Sequence, residues 1–303
     1  MSHSHEHEHA SGPVPDTRYA IGVGVNAAFV VAEVFFGFAA HSMALVADAA
    51  HNLTDVLGLL LAWGATVLAR RLPSSTHTYG LRKTTLLATL ANAVLLLVAV
   101  GSVVWEAVQR LRNPAPVDAT VVMLVAGVGV VVNGASALMF RRGRDHDTNL
   151  RAAFSHLAGD AVIALGVVAS GALVLRTGWL WLDPLTSIGV SALVITMTWS
   201  LLRDAFGSVI DAVPGHVDYG AVRDFLRQLP NVTEVHDLHI WPLSSVETAL
   251  TAHLVLPPGG CGPSFLHDTC KELHDRFRIE HATIQVESAN LTNPCALSPD
   301  DRV

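Results

Sequence analysis

Two apolar segments of the chain each carry a histidine and an aspartate four residues apart. The first pair is His51 and Asp55, and the second is His156 and Asp160. Residues four apart lie on the same face of a helix, so each pair would present one imidazole beside one carboxylate. Two such helices facing each other would offer two nitrogen and two oxygen donors, a set suited to tetrahedral Zn²⁺.

A single histidine–aspartate pair within a membrane helix has a simpler explanation, because polar side chains commonly form hydrogen bonds between helices. Here the pair recurs in a second segment with the same order and spacing. This recurrence favours a shared ion site over two separate hydrogen bonds. We therefore predict a metal site formed by His51, Asp55, His156 and Asp160.

The sequence contains sixteen histidines, and many of them fall into two other groups. One group alternates with serine and glutamate at the start of the chain: His3, His5, His7 and His9. Short histidine-rich tracts bind metals loosely. A cloning tag is the alternative, but the alternation with glutamate is unlike a plain oligohistidine, so we predict a metal-collecting tail. The second group lies towards the C-terminus, where histidines occur on or beside predicted strands.

The elements that must position the two histidine–aspartate pairs are long apolar segments. Each is close to the roughly 20 residues that a helix needs to cross a bilayer. Six of them follow one another, which predicts an all-α bundle of six transmembrane helices. They are approximately Tyr19–Ala40, Met43–Ala69, Leu81–Ala107, Val117–Phe140, Ala152–Leu175 and Trp181–Leu202.

Basic residues are concentrated in alternate loops, which predicts the orientation in the membrane. The loops after the second and fourth segments contain Arg70, Arg71, Arg82, Lys83, Arg141, Arg142, Arg144 and Arg151, whereas the other loops contain Arg110, Arg112 and Arg176. Because basic loops remain in the cytoplasm, both termini are predicted to be cytoplasmic. The excess of arginine and alanine over lysine indicates a bacterium with GC-rich DNA, and therefore its inner membrane.

Composition excludes several classes of protein. The chain has 303 residues, of which 51% are hydrophobic and only 15% are charged, and its net charge is −7. Soluble domains usually carry about a quarter of their residues as charges, so this is not an ordinary soluble protein. The acidic balance argues against nucleic acid as a partner. Three cysteines without a Cys-x-x-Cys spacing do not form a disulfide framework.

Charged residues inside apolar segments are costly in a membrane and need a reason. Asp48 precedes His51 by three residues, and we expect it either to assist the metal site or to face a loop, in both cases without binding the ion. Glu33 is expected to form a hydrogen bond between helices, with proton transfer as the alternative.

After Leu202 the pattern changes to short amphipathic elements in the order α-β-β-α-β. This order predicts a C-terminal α+β domain with its own core. The predicted organisation is a histidine-rich tail at 1–18, a transmembrane domain at 19–202, the α+β domain at 203–288 and a C-terminal tail at 289–303.

Three motifs resemble those of the cation diffusion facilitator family, and most closely its zinc-transporting branch. They are H-S-M-A-L-V-A-D-A-A-H-N-L-T-D around the second segment, A-A-F-S-H-L-A-G-D in the fifth, and V-H-D-L-H-I-W in the α+β domain. The resemblance extends from about Asn26 to Glu287 and includes bacterial cobalt-zinc-cadmium resistance exporters and animal zinc transporters.

The resemblance implies six membrane spans, a metallochaperone-like cytoplasmic domain, a homodimer in the bilayer, and exchange of Zn²⁺ for H⁺. It also implies that His51, Asp55, His156 and Asp160 form the transport site. In the cytoplasmic domain it implies a regulatory metal site of His236, His253, His281 and Glu287. Related zinc transporters add a Cys-x-x-Cys near the end, where this chain has only Cys295.

The leading hypothesis is therefore a zinc efflux transporter coupled to protons, with no enzymatic activity. An intramembrane zinc hydrolase would need a base such as that in H-E-x-x-H, and none of the six apolar segments contains this motif. A membrane-embedded metal sensor, or a channel without proton-coupled turnover, remains as the alternative. Measuring flux would separate these possibilities, because a sensor binds Zn²⁺ without moving it.

Overall fold

The computed structural model describes residues 17–141 and 148–288 of the chain. Several predictions lie outside these residues: the histidine-rich tail with His3, His5, His7 and His9, the C-terminal tail at 289–303 with Cys295, and Arg142 and Arg144 of the fourth loop.

In the described residues, six long helices come first in the chain. Their bounds are α1 Thr17–Ala39, α2 Met43–Ala69, α3 Thr84–Arg112, α4 Ala119–Phe140, α5 Thr148–Thr177 and α6 Leu182–Val209. Helices α2 to α6 are long and apolar enough to cross a membrane, and α1 contains the shorter apolar helix Ala27–Ala39. The predicted helical bundle is confirmed.

The surface of these helices is apolar over a large area. Phe35, Trp63 and Leu124 are each about two-thirds exposed, and many other large apolar side chains are exposed with them. Soluble proteins rarely expose such extensive apolar surface, but a lipid-facing bundle must. The buried core instead uses small and branched residues, including Ala44 on α2 and Val167 on α5.

The C-terminal domain has the predicted order of elements. They are α7 Tyr219–Arg227, β1 Glu234–Pro242, β2 Thr248–Leu256, α8 Phe265–Phe277 and β3 His281–Ser288. The Asp218 carboxylate accepts a hydrogen bond from Ala221 N at 3.1 Å, which caps the start of α7. The α+β prediction is confirmed.

The three strands form one sheet in the order β1-β2-β3. Strands β1 and β2 are antiparallel, whereas β2 and β3 are parallel, so α8 makes the crossover that a parallel pair requires. Leu250, Ala252 and Leu254 alternate along β2 and are completely buried against the domain core. Residues between them on β2, including His253, lie on the opposite face of the sheet.

The chain divides into two compact units. One contains the residues up to Val56 together with Leu95–Met197, and the other contains Leu57–Val94 together with the residues from Thr198 onward. Both histidine–aspartate pairs lie in the first unit. The C-terminal domain lies in the second, with the loop between α2 and α3, from which Arg82 forms an ion pair with Glu247.

Candidate metal centres

Helix α2 is held at its first turn by groups from another helix. The backbone amide of Met43 donates a hydrogen bond to Asp183 Oδ2 at 2.6 Å, and the Ser42 hydroxyl donates to the other carboxylate oxygen. Ser42 Oγ in turn accepts from Leu45 N at 3.1 Å. A carboxylate at a helix N-terminus satisfies otherwise unpaired amides and stabilises the helix dipole. These contacts anchor the helix that carries His51 and Asp55.

The structure brings the two predicted pairs together. His51 Nε2 lies 3.7 Å from Asp55 Oδ2 and 3.5 Å from Asp160 Oδ1. His156 Nε2 lies 3.2 Å from Asp55 Oδ2 and 3.6 Å from Asp160 Oδ2. Imidazole nitrogens and carboxylate oxygens therefore alternate around a closed ring of four donor groups.

The spacing of neighbouring donors in this ring is close to that in a tetrahedral zinc site. Nitrogen and oxygen ligands bind Zn²⁺ at roughly 2.0–2.1 Å, so the ligands of a tetrahedron lie about 3.3 Å apart. The four separations between neighbours are 3.2–3.7 Å. His51, His156 and Asp160 have ligand atoms that all lie within 4.8 Å of one another, and Asp55 lies beside the two histidines.

The ring is buried on one side and open on the other. The side chains of His51 and Asp160 are 9% and 6% exposed, whereas those of Asp55 and His156 are 32% and 44% exposed. Asp55 is nearer than His51 to the end of α2, and His156 is nearer than Asp160 to the start of α5. The exposed half thus lies on the side of the C-terminal end of α2 and the N-terminal end of α5.

Within the described part of the chain, neither ring nitrogen of His51 makes a hydrogen bond, although His51 is only 7% exposed. Its carboxylate contacts of 3.5–3.7 Å are longer than a usual N–H···O bond of about 2.7–3.2 Å. Buried polar atoms are nearly always hydrogen-bonded in folded proteins. An imidazole that lacks such a partner but faces two carboxylates has the surroundings of a metal ligand.

A second cluster lies on the face of the C-terminal sheet opposite the domain core. His236 on β1 is directly opposite His253 on β2, and their ring centroids are 5.2 Å apart. Glu287 on β3 completes the group, with its Oε1 atom 2.9 Å from His253 Nδ1 and 3.6 Å from His236 Nε2. His236 is 3% exposed, and neither of its ring nitrogens makes a hydrogen bond to another described residue. These three residues therefore also fit a metal ion.

Within one chain, His281 lies apart from the other three residues of the set implied by the resemblance. It lies six residues before Glu287 on the same strand, or roughly 20 Å away at about 3.3 Å per residue. Its register partner is Ala249, and its ring centroid lies 5.5 Å from that of Tyr79. Two residues that far apart on one strand cannot bind the same ion within one chain.

Asp237 is a residue of this centre that sequence reasoning missed. Its Oδ2 atom lies 3.4 Å from His253 Nε2, and its Oδ1 atom lies 2.8 Å from His239 Nε2. The register of β1 shifts between His236 and His239, and Asp237 has a left-handed backbone with φ of 50°. This irregularity brings Asp237 to His253. A carboxylate on the far nitrogen of a ligating histidine orients the ring towards its ion.

Two protein families match this chain. The family described as cation efflux transmembrane domain matches residues 20–210, and the cytoplasmic domain of cation efflux proteins matches residues 214–289.

Proteins of known name are similar over nearly the whole chain. The zinc transporter ZitB of Escherichia coli is 36% identical, over 95% of this chain and 93% of its own length. The metal cation efflux system protein CzcD of Cupriavidus metallidurans is 33% identical, over 91% and 86%. A solved structure of the metal-bound C-terminal domain of that CzcD transporter covers 23% of this chain and 99% of its own, with 38% identity and a TM-score of 0.22.

Proposed function

The chain belongs to the cation efflux family, and from that premise we propose that it exports Zn²⁺ from the cytoplasm. The observation that carries this proposal is the closed ring of four donor groups on α2 and α5. Its two imidazoles and two carboxylates are His51, Asp55, His156 and Asp160. The names of the relatives, a zinc transporter and a metal cation efflux protein, support zinc or a similar divalent ion as the substrate.

The donor set also supports zinc on chemical grounds. Mixed nitrogen and oxygen ligands in tetrahedral positions suit Zn²⁺, whereas Mg²⁺ and Ca²⁺ require more oxygen ligands. Two carboxylates balance the charge of a divalent ion, which makes its presence inside the membrane tolerable. Neutral imidazoles complete the coordination without adding charge.

The open side of the ring supports loading from the cytoplasm. Asp55 and His156 are its exposed members, and in the sequence they are the members of each pair nearer to the arginine-rich segments after α2 and before α5. The positive-inside rule assigns these segments to the cytoplasm. In this arrangement the ion enters past Asp55 and His156, and His51 and Asp160 bind it on the buried side. Movement of the helices then exposes the ion to the other side of the membrane.

Proton exchange follows from the chemistry of the ligands. A metal binds imidazole only in its neutral form, so metal binding releases protons. An unperturbed histidine titrates near pH 6.5, within the range in which external acid can displace the ion. Zn²⁺ therefore leaves as a proton binds His51 or His156 from outside, and the protonated site returns to the cytoplasmic side.

The transporter acts as a homodimer with both termini in the cytoplasm of a bacterium. The matched cytoplasmic domain supports the location of the C-terminal sheet. There the cluster of His236, His253 and Glu287 binds a regulatory metal ion that senses cytoplasmic zinc. The histidine-rich tail collects ions near the entrance.

Transport into liposomes with an acidic interior tests this function. The purified protein is reconstituted, Zn²⁺ is added outside, and fluorescent indicators report zinc and pH inside. We expect zinc to accumulate as the interior becomes more alkaline, and we expect accumulation to slow when the pH gradient is removed. Binding of Zn²⁺ without accumulation would indicate a sensor, whereas accumulation with no proton movement would indicate a channel.

A further inference from the structure

Two carboxyl groups are buried together beside the ring of four donor groups, which is called the metal ring below. Glu33 on α1 is 0% exposed, and Asp48 on α2 is 1% exposed. Asn52 Nδ2 donates a hydrogen bond to Glu33 Oε2 at 2.9 Å, as expected for a contact between helices. Asp48 lies four residues before Asn52 on the same face of α2, which makes the carboxyl groups of Glu33 and Asp48 neighbours. None of these three residues belongs to the ring of four donors.

Two unpartnered carboxyl oxygens are buried in this pair. Among the described residues, no donor reaches Glu33 Oε1 or Asp48 Oδ1. A carboxylate oxygen only accepts hydrogen bonds, so the two groups can satisfy each other only if one of them carries a hydrogen to donate. Two ionised carboxylates in contact would repel each other strongly away from water.

The charged and titratable groups that act on this pair belong to the metal ring. They are His51 on α2 and Asp160 on α5. Within the described residues, no lysine or arginine is among the groups that act on it. The charge of the pair therefore responds to the charge of the ring.

We propose that Glu33 and Asp48 form a proton-binding site that holds one shared proton while the metal site is empty and releases it when metal binds. This inference rests on the proposed function and adds a proton carrier separate from the metal ligands. Only the O–H bond of the pair breaks, and the proton leaves to water on the side to which the transporter is open.

Electrostatics provides the coupling between the two sites. Asp48 lies three residues, or about one helical turn, before His51. When a divalent ion replaces one histidine proton, the charge of the ring rises by one unit. A change of one unit charge within about 10 Å alters the proton affinity of a buried group by roughly tenfold or more. Metal binding therefore favours loss of the shared proton, and its return favours release of the metal.

The test counts the protons released for each Zn²⁺ ion bound by the purified full-length protein. Calorimetry in buffers with different ionisation enthalpies gives this number near pH 7. The double variant Glu33→Gln and Asp48→Asn keeps the shape of the pair but cannot release its proton. We expect it to release about one proton fewer per bound ion than the wild type. Glu106→Gln, which removes a carboxylate paired with Arg110 on α3, is the matched control and should match the wild type.

An equal proton count in the double variant and the wild type would overturn the proposal. A second measurement uses only the wild-type protein, so it does not depend on whether a variant folds. The infrared carbonyl band of a protonated carboxyl group should be present without metal and weaken when Zn²⁺ binds. No change in that band would also overturn the proposal. If zinc flux depends on His51 while these results are negative, the transport function stands without this proton site.

Discussion

The metal ring in the membrane and the cluster on the C-terminal sheet use the same residue types but are built differently. In the ring, each helix supplies a histidine and an aspartate that are neighbours because of the helical repeat. In the cluster, His236, His253 and Glu287 come from three strands, and only the pairing of those strands brings them together. The ring contains four donor groups, whereas the cluster contains three and an orienting carboxylate, Asp237.

This difference indicates different tasks. The ring has a buried half and an exposed half, so an ion can enter and leave it when the helices move. The cluster lies on a paired sheet, where hydrogen bonds between strands hold its residues in place. A transport site must bind its ion reversibly in two states, whereas a regulatory site must only respond to concentration. Four predictions test this comparison.

The largest effect is expected for His51→Ala. This substitution removes one of four donors from the ring, and zinc flux in liposomes should fall by at least about 100-fold, since loss of even an outer partner costs roughly 10–100-fold. His77→Ala is the control, because His77 lies in the exposed loop after α2 and contacts only nearby loop residues in the described structure. Wild-type flux in His51→Ala would refute the assignment of the ring.

The next effect concerns which histidines form the sheet cluster. In a His51→Ala background, His253→Ala should weaken Zn²⁺ binding at the cluster by about 100-fold, whereas His281→Ala should leave it unchanged. Calorimetry on the full-length protein measures both affinities. Equal losses of Zn²⁺ affinity in the two variants would mean that His281 is also a ligand.

A smaller effect is expected for Asp237→Asn. The amide keeps the size of the side chain but not its charge, so the His253 ring loses an anionic partner. Affinity at the cluster should fall by about tenfold. Asp275→Asn is the matched control. Asp275 also contacts a histidine, since its Oδ1 atom lies 3.0 Å from His274 Nδ1, but it is exposed and lies near the end of α8. If both variants bind equally well, Asp237 does not orient His253.

The smallest effect is the influence of the cluster on transport. His253→Ala should reduce zinc flux by only about fivefold, at the low end of typical coupling between separate sites. Flux measured over a range of zinc concentrations distinguishes regulation from transport. A complete loss of flux, as in His51→Ala, would mean that both centres lie on the path of the ion.

Much of the molecule could be predicted from its sequence because the relevant signals are local. The length of each apolar segment predicts a membrane helix, and alternation along β2 predicts a strand with Leu250 inside and His253 outside. The spacing of His51 and Asp55 already places them on one helical face. None of these inferences requires knowing which elements are neighbours.

Other features could not be predicted because they depend on pairing between distant parts of the chain. Asp237 stands in an ordinary strand sequence, and no residue pattern indicates the irregularity that brings it to His253. Likewise, His281 and Glu287 look equally suitable as ligands until the register of β3 separates them. The contact between Glu33 and Asp48 depends on how α1 packs against α2.

The sequence by itself therefore determined the elements, their membrane character and the two histidine–aspartate pairs, since helical and strand periodicities are properties of a continuous segment. Only the tertiary structure decided that the two pairs meet in one ring, which histidines share the sheet cluster, and which carboxyl groups are buried together. Those outcomes depend on distances between segments far apart in the chain, and such distances are set by packing and strand register.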